Sequence, residues 1–258
     1  MDRDDGEQTS ALLARLPGVH ALTLEVVSTQ VLTSSMRRLR LAGDGLETMD
    51  AFAGQDLMVT VPAPGRTHFR RRYTMRHLRQ VAGEVDLDVV VHGEGPGARW
   101  ATSATPGETV EAVGPRGKIG LAEHRDWHLF CGDESAVPAI FSMIEALPAD
   151  SRAIVGLEVG GPDDELAPED PRCQLALDWL HRTSEPGTGR ALAEWVGQVT
   201  LPPGGGHAYV FGELHQVAAA RAALVERGVD PVDIDHKAYW RRGTANAAHG
   251  EPRRPDPS

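Results

Sequence analysis

Arg71-Arg72-Tyr73-Thr74-Met75-Arg76 and, about one hairpin later, His92-Gly93-Glu94-Gly95-Pro96-Gly97-Ala98-Arg99-Trp100 decide how this chain folds. The first segment sets an aromatic ring and a hydroxyl among arginines near the end of a predicted strand. The second is a glycine-rich loop that leads into a short helix. Tyr73 offers a surface to a flat ring, and the arginines offer cations to a pyrophosphate. Backbone N–H groups bared by the glycines at a helix start complete an anion site. This is the outline of a flavin dinucleotide site.

Working outward, Arg66, Arg70, Arg71, Arg72, Arg76 and Arg79 crowd one short region of a chain whose formal net charge is −11. An arginine cluster is ordinarily a solvated strand face; here an aromatic and a hydroxyl inside it favour an anion-plus-ring site. The acidic balance argues against nucleic acid, whose binding relies on a broad basic surface. At 258 residues, 41% of them hydrophobic, the chain has enough apolar content for one large domain or two ordinary ones. No apolar run reaches membrane-spanning length, and the acidic start Met1-Asp2-Arg3-Asp4-Asp5 leads one to expect no export signal. Cys131 and Cys173 are too few for a disulfide framework or a zinc cluster. A cytoplasmic protein without membrane insertion is expected, and a monomer, its two domains burying each other's open faces.

The hydrophobic period places four segments. Residues 1–18 read as an N-terminal arm. From 19 to 122, alternation in Leu22–Val27, Leu57–Val61 and Val85–Val91, punctuated by Gly43-Asp44-Gly45, Pro62–Gly65 and Pro106-Gly107, predicts a small antiparallel β-barrel. From 123 to 243, strands and helices alternate: an apolar strand from Trp127, a helix over Ala136–Leu147, a strand from Ala153, helices at 189–198 and Leu214–Arg227, strands at His207–Phe211 and Ile234–Trp240. Leu175–Leu180 fits either a third strand or a helical turn. Such alternation predicts a doubly wound α/β domain with a parallel sheet. The polar, proline-rich segment 244–258 reads as a disordered tail.

A barrel carrying Arg71-x-Tyr73-Thr74 ahead of an α/β domain resembles the ferredoxin-reductase-like flavoproteins. It is most similar to the siderophore-interacting proteins, which are FAD-containing ferric-siderophore reductases. Further motifs in the same order carry the resemblance: the loop at 92–100, Gly114-Pro115-Arg116-Gly117, Gly132-Asp133-Glu134-Ser135 and Tyr239-Trp240-Arg241-Arg242-Gly243. It implies that Tyr73 packs on the isoalloxazine of FAD, that Thr74 meets its polar edge, and that Arg71 meets the pyrophosphate, with Arg76 nearby. Strand alternation sets Arg71 and Tyr73 on one face and Thr74 and Arg76 on the other. In the loop, Gly95, Pro96, Gly97 and Ala98 are candidate pyrophosphate contacts through the main chain. The family's usual alanine and serine are here Gly97 and Ala98, so a hydroxyl donor is lost. His92 is a candidate cofactor contact, or simply a structural histidine. Trp100 anchors the loop, and Gly114–Gly117 reads as a tight turn closing the barrel.

Gly132-Asp133-Glu134-Ser135 follows the first α/β strand and opens a helix, the usual ligand position of such a domain. The helix start and Ser135 favour a phosphate, whereas Asp133 and Glu134 oppose one. An acidic N-cap region is the plain alternative. The resemblance makes this turn, together with Gly212-Glu213, the site for NADPH or NADH. It places Lys237, Tyr239, Trp240, Arg241 and Arg242 at the acceptor entrance, where a basic mouth would focus an anionic ferric siderophore; the same aromatics could merely close the core. The reaction implied is NAD(P)H-driven reduction of ferric siderophore through FAD. It needs no acid–base triad, so no catalytic side chain and no metal ligand is expected. A flavin reductase acting on another acceptor, such as a quinone or free flavin, and a flavin- or siderophore-binding protein without turnover are the alternatives.

Overall fold

Leu22, Leu24 and Val26 point inward from the first strand while their neighbours point out, and this period of two repeats around a closed wall. In the computed structural model, residues 18–63, 66–91, 93 and 95–244 are described. The expected arm (apart from Gly18), His92, and the tail beyond Thr244 lie outside the described residues. The chain forms two compact units that meet in sequence at Gly120/Leu121.

The first unit is a six-stranded barrel. Its strands are β1 (His20–Val31), β2 (Met36–Ala42), β3 (Asp56–Ala63), β4 (Arg66–Arg79), β5 (Glu84–Val90) and β6 (Thr109–Arg116). They close in the order β1-β2-β5-β4-β3-β6, each antiparallel to its neighbours. Leu24, Leu39, Leu57 and Leu87 are completely buried inside, each stabilising the fold by roughly 2 kcal/mol. Helix α1 (Pro96–Ser103) starts with proline just inside its first turn and adds Trp100 and Ala101 to the barrel core. The tight turn expected at 114–117 is absent: Gly114 still pairs with His20 within β6, which runs to Arg116, and Gly117 follows it with φ +109°.

The outer face of β2, β5 and β4 is a lattice of ions. Arg38 grips Asp88 through two bonds of 2.7 and 2.9 Å, and Arg72 grips Asp56 at 2.8 and 2.6 Å. Asp86 is fully buried among Arg40 (2.9 Å), Arg79 (2.6 Å) and His77 (3.2 Å). Burial alone would push its carboxyl up, but hydrogen bonds from His77, Arg79 and Arg40 outweigh it and hold the group well below the carboxylate range. Arg72 and Arg79, from the arginine crowd seen in the sequence, are thereby absorbed into structure.

The second unit alternates strands and helices: β7 (Trp127–Asp133), α2 (Val137–Ala146), β8 (Arg152–Val159), β9 (Gln174–His181), α3 (Ala191–Gln198), β10 (Gly206–Glu213), α4 (Leu214–Glu226) and β11 (Ile234–Trp240). All five strands are parallel, in the order β11-β10-β7-β8-β9. Leu175–Leu180 is thus a strand, at the edge of the sheet. Leu129 and Cys131 pack one face of β7 against Val196 of α3 and Val217 of α4. On its other face Phe130 stacks on Tyr209 at 4.7 Å. From β7 the chain winds first toward β9 and then back to β10 and β11. The order therefore reverses between β7 and β10, and their carboxyl ends frame the crevice where such sheets bind ligands.

Candidate functional site

Arg71 and Tyr73 lie opposite Val59 and Leu57 of β3, so both belong to the inner face of β4. There they meet the first turn of α1. A Cβ built on Gly97 would overlap the Tyr73 hydroxyl and lie 3.5 Å from Arg71 Cγ. The Tyr73 ring stacks on Trp100, with centroids 5.8 Å apart and planes inclined by 30°. Burial pushes the Tyr73 phenol up, against a smaller pull from Arg71, so it stays a neutral hydroxyl.

Three observations test this cradle against an anionic dinucleotide. Arg71 donates to the Arg70 carbonyl at 2.8 Å and faces no carboxylate among the described residues, unlike Arg38, Arg40, Arg72 and Arg79. The first turn of α1 holds no acidic residue and no side-chain cap, which leaves its amides and positive dipole end available. The indole Nε1 of the buried Trp100 has no partner among the described residues. The residues present fit FAD. The structure therefore brings Arg71, Tyr73, Pro96, Gly97 and Ala98 together, with Gly95 as the residue before the helix. It places Thr74 and Arg76 on the outer face, where Thr74 pairs with Asp56 in register and Arg76 lies 3.9 Å from Asp88. Arg76 is the extra residue of a bulge against β5, a device that bends and twists a strand locally.

In the second unit the expected nucleotide turn sits at the switch point. Asp133 ends β7 almost wholly buried and is a hub rather than an exposed group. Its carboxylate accepts from the Ser135 amide (2.9 Å) and hydroxyl (2.5 Å), from the Glu213 amide (2.8 Å) and from the Trp240 indole (2.8 Å). Burial pushes its carboxyl up, and these donors oppose the rise. Glu213 ends β10 and caps α4, accepting from the His215 and Gln216 amides and from the Arg242 amide at 3.2 Å. Burial would raise Glu213, but those amides and the His215 ring bring it below the usual value. Gly212 has φ +130° and presses on Asp133, leaving no room for a side chain. Gly132 is walled by Ala136 and the Phe211 carbonyl.

Sequence reasoning missed three members of this cluster. Arg182, directly after β9, pairs with Glu134 and lies 3.8 Å from the fully buried Glu158 at the end of β8. Gln216 of α4 donates to both Glu158 oxygens at 3.1 and 3.0 Å. Burial pushes Glu158 up, against the pull of Gln216 and Arg182. The signal lay in position: a polar residue just past a strand of a parallel sheet falls on the ligand edge, but the strand at 174–181 was ambiguous.

Of the five acceptor-side residues, Lys237 is buried, its ammonium 5.6 Å from the Tyr239 ring. Tyr239 stacks on Phe211 at 5.4 Å, and Trp240 is spent on Asp133. Arg241 and Arg242 are exposed. An open cleft of about 390 Å³, lined by Asp126, Asp150, Arg152 and Gln174, lies at the opposite, amino-terminal edge of the sheet.

A family model described as siderophore-interacting protein matches residues 125–243, and one described as siderophore-interacting FAD-binding domain matches 58–119. The chain is 38% identical over 188 residues to the ferric vibriobactin reductase ViuB of Vibrio cholerae, covering 71% of this chain and 68% of that protein. It superposes on a siderophore utilization protein from T. fusca with a TM-score of 0.82 and 30% identity, over 90% of this chain and 97% of the other. A ferredoxin reductase of carbazole 1,9a-dioxygenase, 17% identical with a TM-score of 0.70 over 85% of this chain and 69% of that one, shares the fold.

Proposed function

The chain belongs to the siderophore-interacting protein family, and from that premise we propose that it reduces ferric siderophores inside the cell, using electrons from NADPH or NADH delivered through FAD. The observation that carries this reading is Arg71, a cation with no carboxylate partner among the described residues, set beside Tyr73 under the start of α1. FAD, when bound, takes an electron pair as hydride from a nicotinamide and gives electrons up singly, which is what ferric ion requires.

The chain's own residues hold and orient. Arg71 and the amides of Gly97 and Ala98 neutralise the pyrophosphate. Tyr73, fixed between Gly97 and Trp100, presents a flat apolar surface to the ring. Thr74, on the other face of β4 just before the bulge at Arg76, would meet the polar edge of the ring through the local twist of the strand. The switch point of the second unit, with Ser135 at its rim, takes the nicotinamide nucleotide, while its carboxylates stay engaged with protein donors. Arg241 and Arg242 draw an anionic ferric chelate to the site. One hydride supplies two electrons, so two ferric ions become ferrous and the nicotinamide leaves oxidised. Iron is released because hard oxygen donors hold Fe(II) far more weakly than Fe(III).

The test is anaerobic. The purified protein, loaded with FAD, should bleach with NADPH or NADH and regain its oxidised spectrum on adding a ferric siderophore, while a ferrous trap takes up two irons per flavin. A protein that bleaches but is re-oxidised only by quinones or free flavin is a flavin reductase of another kind. One that never bleaches is a binding protein.

A further inference from the structure

Gly97 is the second residue of α1, a place where helices take alanine at least as readily as glycine. Its φ lies outside the left-handed region, so the backbone itself does not require glycine there. The requirement comes from a neighbour. The room a side chain at 97 would fill is taken by the Tyr73 hydroxyl, and the Tyr73 ring carbon Cζ and Arg71 Cγ each stand 3.5 Å from the same point. Three residues further along α1, and so on the same side of the helix, Trp100 takes the flank of the Tyr73 ring at 5.8 Å. Trp100 is only 2% exposed and belongs to the barrel core, so it cannot yield.

We propose that Gly97 is a positioning residue that acts through Tyr73: by leaving space for the phenol hydroxyl, it lets the ring sit deep against α1 and thereby sets where the flavin ring rests. This rests on the reading of the barrel cradle as the FAD site. The alanine that the family resemblance leads one to expect would push the phenol out from under the helix, and the flavin with it. Glycine here therefore gives this chain its own flavin seating.

The experiment compares wild type with Gly97→Ala, Tyr73→Phe and the double variant Gly97→Ala/Tyr73→Phe. It reads FAD affinity by fluorescence titration, the visible flavin spectrum and the flavin midpoint potential. Gly97→Ala should weaken FAD by about tenfold, the size of a modest overpacking penalty, and displace the flavin bands and potential. Tyr73→Phe keeps the phenyl ring and removes the hydroxyl, and it sets the baseline against which the double variant is read. The double variant should recover most of the affinity and the wild-type spectrum, because the hydroxyl that met the new methyl is gone. A Gly97→Ala protein with unchanged affinity, spectrum and potential overturns the proposal. So does a double variant no better than Gly97→Ala, since the glycine would then serve only the helix backbone. If Gly97→Ala alone does not fold, a folded, FAD-binding double variant supports the proposal and an unfolded one overturns it. A wild type that takes up no FAD defeats the underlying reading before any variant is compared.

Discussion

Trp240 donates its indole N–H to Asp133 across 2.8 Å, tying the end of β11 to the end of β7 with β10 lying between them. The same carboxylate holds the Glu213 amide at the end of β10. One buried side chain thus gathers three strand ends at the switch point.

Trp240→Phe keeps the ring and removes that donor. It should cost about 1–2 kcal/mol, because a buried carboxylate loses a hydrogen bond it cannot replace. Urea unfolding followed by circular dichroism measures the loss. An unchanged midpoint would show that the indole N–H contributes nothing to the junction.

His128 is buried, and its imidazole is pulled down to about 4, first by burial and then by the charges of His207 and Arg125. His207 in turn bonds Asp235 at 3.0 Å, and Arg125 bonds Asp233 at 2.7 Å. An unfolded histidine takes up its proton as pH falls through about 6.5, whereas the folded one resists until about 4. The stability His128 contributes is therefore complete above pH 6.5 and is lost progressively from there down to pH 4. His128→Gln should be less stable at neutral pH, since it loses stacking on Phe130 and Tyr209, and should show a shallower decline over that window. Parallel stability–pH curves for the two proteins would contradict this.

Asp86→Asn should destabilise the barrel by about 3 kcal/mol. It leaves Arg40, Arg79 and His77 facing one another around a buried site with no anion. Since the carboxyl is held far below its ordinary value, its contribution is present at neutral pH and fades only in strong acid. Denaturant unfolding at neutral pH measures the loss, and an unchanged midpoint would show that the carboxylate does not hold this lattice together.

Arg71→Ala should loosen FAD by about tenfold or more and FMN by less, since FMN lacks the second phosphate of the dinucleotide. Competitive titration of the two cofactors separates the cases. Equal weakening would place Arg71 away from the pyrophosphate.

Neutralising Arg241 and Arg242 together with glutamine should slow re-oxidation by anionic ferric chelates. The effect should be largest at low salt, because such attraction is screened beyond about 10 Å at 0.1 M. Reduction by NADPH or NADH and re-oxidation by neutral chelates should hardly change. Stopped-flow traces at two ionic strengths decide it.

Much of this architecture was legible because the hydrophobic period is strong where elements are long. Leu22–Val26 and Val85–Val89 alternate cleanly, and the helical run before Leu147 carries continuous apolar residues. At 114–117 the glycines and proline gave a local turn signal, but pairing of β6 with β1 overrode it. Leu175–Leu180 was ambiguous because an edge strand is half-buried and its period is blurred by Trp179-Leu180. In the barrel cradle, alternation put Arg71 and Tyr73 on one face of the strand, while their interlock with Gly97 needed the helix packed in place. At the switch point the sequence showed carboxylates but not their partners. Asp133, Glu158 and Arg182 are far apart in the chain, and parallel strands bring their ends together. Lys237 looked like part of a basic mouth because it neighbours Arg241 and Arg242 in sequence; it lies within β11, buried beside Tyr239, whereas the two arginines follow the end of the strand.

A closed barrel offers no unpaired strand, so the six strands of the first unit give other molecules nothing to add to. The five-stranded sheet does end, at β9 and β11. Along β9, half-buried Leu175, Leu177 and Trp179 alternate with exposed Gln174, Ala176 and Asp178. Asp178 is the charge that breaks this row, and it is anchored to Trp195 at 2.8 Å. Among the described residues, these two margins are where a further strand could pair. Asp178 puts a charge on one of them, and exchanging it for an apolar residue would leave that edge with an uncharged run from Gln174 to Leu180.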